Sequence, residues 1–280
     1  MSIDAHVYDI MSEEQVRKVK DELVWLENNL ETVGDGFWLD KTAEPKNTIE
    51  KYILSTYKKV IADSGIDESQ VAGFEWWHHH AIREMDVIDI HFDCDEHKST
   101  ARNSTGMVTP LRGTVTYIEE PNQAPTVIFG IKQESESVSD ISDNISNVAY
   151  SYPKKGRLLS FDGSYMHGVF PPKSPMIRMT LMYNIWQYRL PELADHSEDS
   201  DWPADKSRDA CPYVADDIDL EVTISEKQKP VLDESNDYKI VDIYYNHKHF
   251  RATTHVPFVE TKPENNFIEI ECNNEVIKNV

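Results

Sequence analysis

Three scarcities in this 280-residue sequence each exclude a class of protein. Its 3 cysteines (Cys94, Cys211 and Cys272) are too few and too widely spaced for a disulfide framework or a CxxC metal pair. No apolar run approaches the roughly 20 residues that a membrane-spanning helix needs. The start of the chain also lacks the basic residues and apolar stretch of a signal peptide. We therefore expect an intracellular, cytoplasmic protein with no membrane partner.

Basic residues are scarce as well. The chain has 28 Lys and Arg against 50 Asp and Glu, which gives a formal net charge of -22. Because so acidic a surface repels phosphate backbones, we expect no nucleic acid partner. General solubility is the simpler explanation of this charge, and attraction of a cationic small-molecule or peptide substrate is the alternative. Hydrophobic residues make up 39% of the chain, enough for a globular core.

Hydrophobic periodicity divides the chain into a helical start and a β-rich remainder. Residues 12 to 31 and 47 to 64 have the spacing of amphipathic helices, and Ser12 with Gln15 forms a capping-box pattern. Beyond Val71, turn residues separate short runs of β-forming residues: 74 to 80, 86 to 93, 113 to 118, 126 to 131, 157 to 161 and 177 to 186. Many short strands without helices between them predict an all-β sandwich or barrel.

Two polar segments interrupt the β-rich part. Residues 134 to 147 are rich in Ser, Asp and Glu, which predicts a surface loop, either inert or a lid. Residues 191 to 219 are acidic and aperiodic, typical of a linker or surface segment. Strand patterns return at 221 to 224, 238 to 245 and 267 to 270, and either extend the main sheet or form a separate unit. The predicted organisation is a domain over 1 to 190, a linker over 191 to 219 and a β-rich extension over 220 to 280.

One strand ends in a pair of metal-ligating residue types, His91-Phe92-Asp93. Side chains alternate across a strand, so His91 and Asp93 point to the same face and can bind one metal ion. The pattern is weak by itself, since a second His-x-acid match occurs at His196-Ser197-Glu198. That copy lies in the aperiodic segment, where no strand would hold it. The context therefore favours the first pair as a candidate site.

Two further candidates lie downstream. His167 follows a predicted strand and a turn, where a histidine is either structural or a ligand. Alternation over residues 177 to 186 puts Arg178, Thr180, Met182 and Asn184 on one face of an apolar strand. A buried guanidinium is costly unless it is paired. Its partner is either an internal acidic residue or the carboxylate of a ligand, with the Thr180 hydroxyl as a further donor.

Taken together, these motifs resemble the Fe(II)/2-oxoglutarate-dependent dioxygenase superfamily. The shared pattern is His-x-Asp, a distal His, and an Arg-x-Ser/Thr about ten residues later. Here it reads His91-Phe92-Asp93, His167 and Arg178-Met179-Thr180. Other stretches similar to the family extend the resemblance over roughly residues 74 to 188, and it does not cover the C-terminal part.

The resemblance implies a fold, a metal and a reaction. The fold would be a double-stranded β-helix, or jelly roll, with the N-terminal helices packed on one sheet. Fe(II) would be bound by His91, Asp93 and His167, and 2-oxoglutarate by Arg178 and Thr180. With O2 as oxidant, the enzyme would hydroxylate its substrate and release succinate and CO2. Asp93 argues against the halogenating branch, in which a small residue replaces the carboxylate.

Other interpretations stay open at this stage. The chain fits a cupin-like metalloenzyme that does not use 2-oxoglutarate, or a non-catalytic jelly-roll binding protein. The C-terminal β segment fits an interaction module. His78 and His80 share a strand face and suggest a second metal site, and Tyr117 suggests a wall of the co-substrate pocket. An acidic rim around Asp93, Asp95 and Glu96 would suit a cationic substrate.

Overall fold

A computed structural model gives the arrangement of most of the β-rich core. It describes residues 2–29, 36–81, 90–95, 108–119, 125–132, 147–169, 177–190, 223–225, 238–245, 248–255 and 267–271. The described strands are β1 Ala5–Asp9, β2 Phe37–Asp40, β3 Gly73–Ala81, β4 Arg112–Tyr117, β5 Thr126–Lys132, β6 Asn147–Ser151, β7 Arg157–Asp162, β8 Tyr165–Val169, β9 Arg178–Trp186, β10 Thr223–Ser225, β11 Tyr238–Tyr245, β12 Lys248–His255 and β13 Phe267–Glu271.

Both predicted helices form, with the capping that the sequence indicated. Helix α1 spans Glu13–Asn29 and α2 spans Thr48–Asp63. The Ser12 amide donates to Gln15 Oε1 at 2.7 Å, and the Gln15 amide donates to Ser12 Oγ at 3.3 Å, so the capping box is present. Gly65 follows α2 with a φ of 69°, a left-handed conformation that favours glycine at a helix end. A short 3-10 helix, Glu68–Gln70, leads into β3.

Eleven of the thirteen described strands form two antiparallel sheets with jelly-roll topology. The large sheet has the order β10-β1-β7-β4-β9-β3-β2 and the small sheet β13-β6-β5-β8. From β3 to β9 the chain crosses between the sheets in the sequence that gives two Greek keys. An isolated antiparallel bridge between His91 and His167 places the His91 segment beside β8 in the small sheet. With this segment, which lies between β3 and β4 in sequence, the two sheets have the eight positions of a jelly roll. The predicted fold class is confirmed.

The large sheet has one face on the helices and one face on the small sheet. Its helix-side residues pack with α1 and α2 in one apolar core that includes Phe74, Trp76 and Tyr183. The opposite face contributes Val115 and Met182 to a second core, which it shares with residues of the small sheet. Strand alternation therefore separates a structural face from a face that looks into the jelly roll.

The C-terminal strands differ in their pairing. Strand β10 pairs with β1 and β13 pairs with β6, so both extend the main sheets, whereas β11 and β12 pair with each other. The proposed division at residues 190 and 220 stays a prediction, since 191–222 lie outside the described residues. Most of the predicted loop also lies outside them, since β6 begins at Asn147. Neither described helix is long and apolar enough to cross a bilayer.

Candidate metal centre

The structure brings together the three residues that the sequence proposed as metal ligands. His91 Nε2 lies 3.3 Å from Asp93 Oδ1, and His167 Nε2 lies 3.5 Å from Asp93 Oδ2. Among the described residues, this is the one group of three or more His, Cys, Asp or Glu ligand atoms that all lie within 4.8 Å of one another. Ligand atoms about 2.1 Å from one ion and at right angles to each other lie about 3 Å apart. The three side chains therefore fit a single metal ion with little movement.

Backbone pairing fixes the relative position of the two histidines. The His91 amide donates to the His167 carbonyl at 2.8 Å, and the His167 amide donates to the His91 carbonyl at 2.9 Å. The two imidazole rings are consequently 4.6 Å apart. The separation of 76 residues in sequence is closed by one antiparallel bridge, which explains why the ligands converge although they belong to distant segments.

A backbone carbonyl sets the tautomer of His167. Its Nδ1 lies 3.0 Å from the Tyr165 carbonyl oxygen and donates to it, which leaves the Nε2 lone pair facing Asp93. Burial lowers the pKa of His167 to about 4, although Asp93 opposes the shift. His167 is therefore neutral at pH 7, the form that binds a metal.

Asp93 is the acidic member of the group, with a side chain only 12% exposed. Burial acts to raise the pKa of this carboxyl, but the electrostatic attraction of His167 and a hydrogen bond from His91 hold it well below its usual range. Asp93 is therefore ionised at pH 7. Two imidazoles and one carboxylate form the facial triad that is associated with non-haem iron sites.

One cavity joins these ligands to Arg178. It measures about 550 Å³ counting its open mouth. Described residues that line it are Trp77, His79, His91, Asp93, Thr114, Val115, Thr126, Phe161, His167, Gly168, Val169, Arg178 and Met182. Apart from the ligands, Arg178 and His79, the described lining is apolar or weakly polar, a typical composition for a small-molecule site.

Arg178 is the cationic group of this cavity, and it is only 2% exposed. Its guanidinium donates to Thr126 Oγ1 at 3.1 Å and stands over the Tyr117 ring, 5.8 Å from the centroid. No carboxylate of the described residues pairs with it, and Arg178 Nε has no hydrogen-bond partner among them. Burial lowers the pKa of Arg178, but an arginine stays charged at neutral pH.

Thr180 and Tyr117 support Arg178 from below the cavity surface. Thr180 is fully buried, accepts from Arg178 Nη1 at 3.4 Å, and is not among the described lining residues. The Tyr117 hydroxyl lies 2.9 Å from Thr126 Oγ1, at hydrogen-bond distance, and donates to the Ser151 carbonyl oxygen, also at 2.9 Å. Thr126 therefore joins Tyr117 to Arg178 and also lines the cavity. Sequence reasoning missed Thr126, because a threonine that begins a strand carries no distinctive signal.

The other predicted sites have different surroundings. His78 Nε2 and His80 Nδ1 do converge, but both contact Glu27 Oε1 of α1, at 3.1 and 3.0 Å. Among the described residues, these histidines do not belong to a second group of three close metal-ligand atoms. Asp95 is buried and accepts from the Tyr188 hydroxyl at 2.9 Å, so it does not form an acidic rim. Glu96 lies outside the described residues.

No family model matches the chain, and no curated protein matches it. Solved hydroxylase and dioxygenase structures are similar to it. A Pseudomonas putida prolyl-4-hydroxylase is 15% identical, with a TM-score of 0.42, and the match covers 66% of this chain and 86% of that one. HygX from Streptomyces hygroscopicus, solved with nickel and 2-oxoglutarate bound, is 12% identical, with a TM-score of 0.40 and coverages of 78% and 94%. An N-substituted L-amino acid dioxygenase from Burkholderia ambifaria is 14% identical, with a TM-score of 0.38 and coverages of 65% and 86%. These likenesses are distant, so we argue function from the residues of this chain.

Proposed function

We propose that this protein is an Fe(II)- and 2-oxoglutarate-dependent oxygenase that hydroxylates an amino acid, amine or peptide side chain. The observation that carries the proposal is a buried arginine facing the same cavity as a facial triad. Arg178 and the three ligands His91, Asp93 and His167 all line this cavity. The overall reaction would convert a substrate C–H bond, O2 and 2-oxoglutarate into a C–OH group, succinate and CO2.

The case for a dicarboxylic co-substrate depends on the charge of Arg178. A buried guanidinium without an anion is costly, and it is stabilised when a carboxylate accepts from it in a bidentate, charge-assisted pair. The described residues supply Arg178 with hydroxyl acceptors but no carboxylate. The distal carboxylate of 2-oxoglutarate would supply that charge, with Thr126 and Thr180 holding the guanidinium in position.

The triad would hold Fe(II) through two imidazole nitrogens and a carboxylate oxygen. Bound Fe(II) would supply the activation of O2. Three protein ligands leave open coordination positions for the keto acid and O2. The Tyr165 carbonyl keeps His167 in the tautomer that this arrangement needs.

Apolar residues line much of the rest of the cavity. Trp77, Val115, Phe161 and Met182 line it beside the ligands. Asp93, a ligand, is the only carboxylate among the described lining residues. The described lining therefore gives no support for a preference for cationic over neutral substrates.

The decisive experiment is visible absorption under anaerobic conditions, with Fe(II) and then 2-oxoglutarate added to the purified protein. We expect a charge-transfer band that requires both additions and is absent in His167→Ala. In Arg178→Met the band should form only at a much higher concentration of 2-oxoglutarate. Truncating one partner of a buried charged pair costs about 2–5 kcal/mol, which corresponds to a roughly 30-fold or greater loss of affinity.

Arg157→Met is the matched control, since Arg157 is a buried arginine that pairs with Asp9 and is absent from the described cavity lining. It should leave the 2-oxoglutarate titration unchanged. Iron binding without any effect of 2-oxoglutarate would favour the cupin-like alternative. Absence of iron binding would favour a non-catalytic jelly-roll protein.

A further inference from the structure

The metal ligand Asp93 lies on a segment of chain that is anchored on both sides. On one side, His91 exchanges two backbone hydrogen bonds with His167, at 2.8 and 2.9 Å. On the other side, the Asp95 amide donates to the Val108 carbonyl oxygen at 2.9 Å. The stretch from Asp93 to Asp95 has no regular secondary structure, so a sheet ladder does not hold it. The position of Asp93 therefore depends on these two anchors.

The second anchor also has a side-chain hydrogen bond. The Tyr188 hydroxyl donates to Asp95 Oδ2 at 2.9 Å, and Asp95 is only 1% exposed. Tyr188 follows β9 by two residues, and its ring lies 6.0 Å from that of Trp186, the last residue of this strand. Together with Val108 it packs against the buried Trp38 and Trp186. The hydrogen bond therefore fixes the Asp95 carboxyl group to the end of a core strand.

We propose that Tyr188 is a positioning residue for the metal centre, because its hydrogen bond to Asp95 holds the segment that carries Asp93 in the position for metal binding. The inference rests on the proposed function and deepens it. Asp95 is the second residue after Asp93, and consecutive Cα atoms are about 3.8 Å apart, so a shift of Asp95 passes directly to the ligand. Metal–ligand distances vary by only about 0.2 Å, and a small displacement of Asp93 consequently weakens binding.

Tyr57 provides a matched control, because it makes the same type of bond away from the metal centre. Its hydroxyl donates to Glu68 Oε1 at 2.8 Å, and its ring packs in the core between the helices and the large sheet. Neither Tyr57 nor Glu68 is among the described residues that line the cavity. Tyr57→Phe therefore removes a tyrosine–carboxylate hydrogen bond, and any stability that it contributes, without touching the segment of Asp93.

The test is an anaerobic titration with Co(II), without 2-oxoglutarate or O2, followed by visible absorption. The titration gives the affinity, and the shape of the Co(II) bands reports the geometry of the ligands. We expect Tyr188→Phe to alter the bands and to bind Co(II) about tenfold more weakly, the lower end of the usual effect of residues that orient metal ligands. Tyr57→Phe should bind Co(II) with the affinity and the bands of the wild type.

Two Asp95 variants separate the hydrogen bond from any effect of charge. Asp95→Asn keeps an oxygen that can accept from Tyr188, so its Co(II) affinity should stay close to that of the wild type. Asp95→Leu removes the acceptor and should lose as much affinity as Tyr188→Phe. Because both changes break the same bond, the double variant Tyr188→Phe/Asp95→Leu should bind Co(II) no more weakly than either single variant.

Wild-type Co(II) affinity and bands in Tyr188→Phe would overturn the inference and leave the proposed function intact. Equal weakening in Tyr57→Phe or in Asp95→Asn would also overturn it, since the loss would then follow from general stability or from charge. Additive losses in the double variant would overturn it as well, because the two residues would then act separately. Failure of the wild type to bind Co(II), or equal binding by His167→Ala, would overturn both the inference and the proposed function.

Discussion

At the scale of single residues, Thr126 connects the parts of the candidate co-substrate site. Its hydroxyl accepts from Arg178 Nη2 at 3.1 Å and lies at hydrogen-bond distance, 2.9 Å, from the Tyr117 hydroxyl, which itself donates to the Ser151 carbonyl oxygen. One oxygen thus fixes both the guanidinium and the ring beneath it. A side chain of the same shape without that oxygen would leave the buried Arg178 Nη2 short of an acceptor.

We therefore expect Thr126→Val to weaken 2-oxoglutarate binding about tenfold, since a hydrogen bond to a charged group contributes about 1.5–3 kcal/mol. Iron affinity should not change. The measurement is the anaerobic 2-oxoglutarate titration of the Fe(II)-loaded protein. Thr116→Val is the control, because Thr116 is equally buried but bonds Tyr52 on the helix side. Equal titrations for the two variants would refute the role given to Thr126.

At the scale of elements, a buried carboxyl group joins the two helices. Glu22 of α1 accepts from the Thr48 amide at the start of α2, at 3.1 Å, and is fully buried. Burial raises the pKa of Glu22 to about 8. The folded protein therefore holds a proton there at neutral pH that the unfolded chain, with a glutamate pKa near 4.3, has released.

The sign of the resulting pH dependence follows from proton linkage. Between about pH 4.3 and pH 8 the folded state binds the extra proton, so rising pH destabilises the fold by up to about 1.4 kcal/mol per pH unit. In Glu22→Gln this loss should disappear, and the free energy of unfolding relative to wild type should rise across that window. Urea titrations at pH 5, 6.5 and 8 would measure it. Glu14→Gln, at an exposed site on α1, should show the same pH dependence of the free energy of unfolding as the wild type. The same pH dependence in Glu22→Gln would contradict the prediction.

At the scale of the whole molecule, the C-terminal strand β13 is part of the main fold. Phe267 is buried in the core between the sheets. Glu269 accepts from Ser2 Oγ at 2.7 Å, from the Ile3 amide at 2.9 Å and from Asn147 Nδ2 at 2.8 Å. The strand thus joins the N-terminal segment to the small sheet, which argues against treating this strand as a detachable interaction module.

Phe267→Ala should lower the free energy of unfolding by about 3–5 kcal/mol, the usual cost of truncating a buried phenylalanine. Chemical denaturation measures this cost. Ile177→Ala removes apolar atoms at a site that is 57% exposed and should change stability little. A Phe267→Ala variant as stable as the wild type would show that β13 does not contribute to the core.

The sequence by itself determined the local features of this protein. Helix α1 with its capping box, the strand cores of β3, β4, β5, β7 and β9, and the shared face of Arg178 and Thr180 all follow from short-range periodicity. It did not predict β1, β2, β6, β8 or β12 as strands. Strands β6 and β8 are buried on both faces, so neither has the polar alternation that marks a strand.

Only the tertiary structure decided which distant residues meet. One backbone bridge brings His167 to His91, and the sheet register sets Asn184 opposite Glu75. The same packing turned His78 and His80 towards Glu27 and buried Asp95 under Tyr188. Such contacts depend on strand order and on which face each sheet buries, because pairing between remote strands is fixed by the global fold and leaves no short-range pattern in the chain.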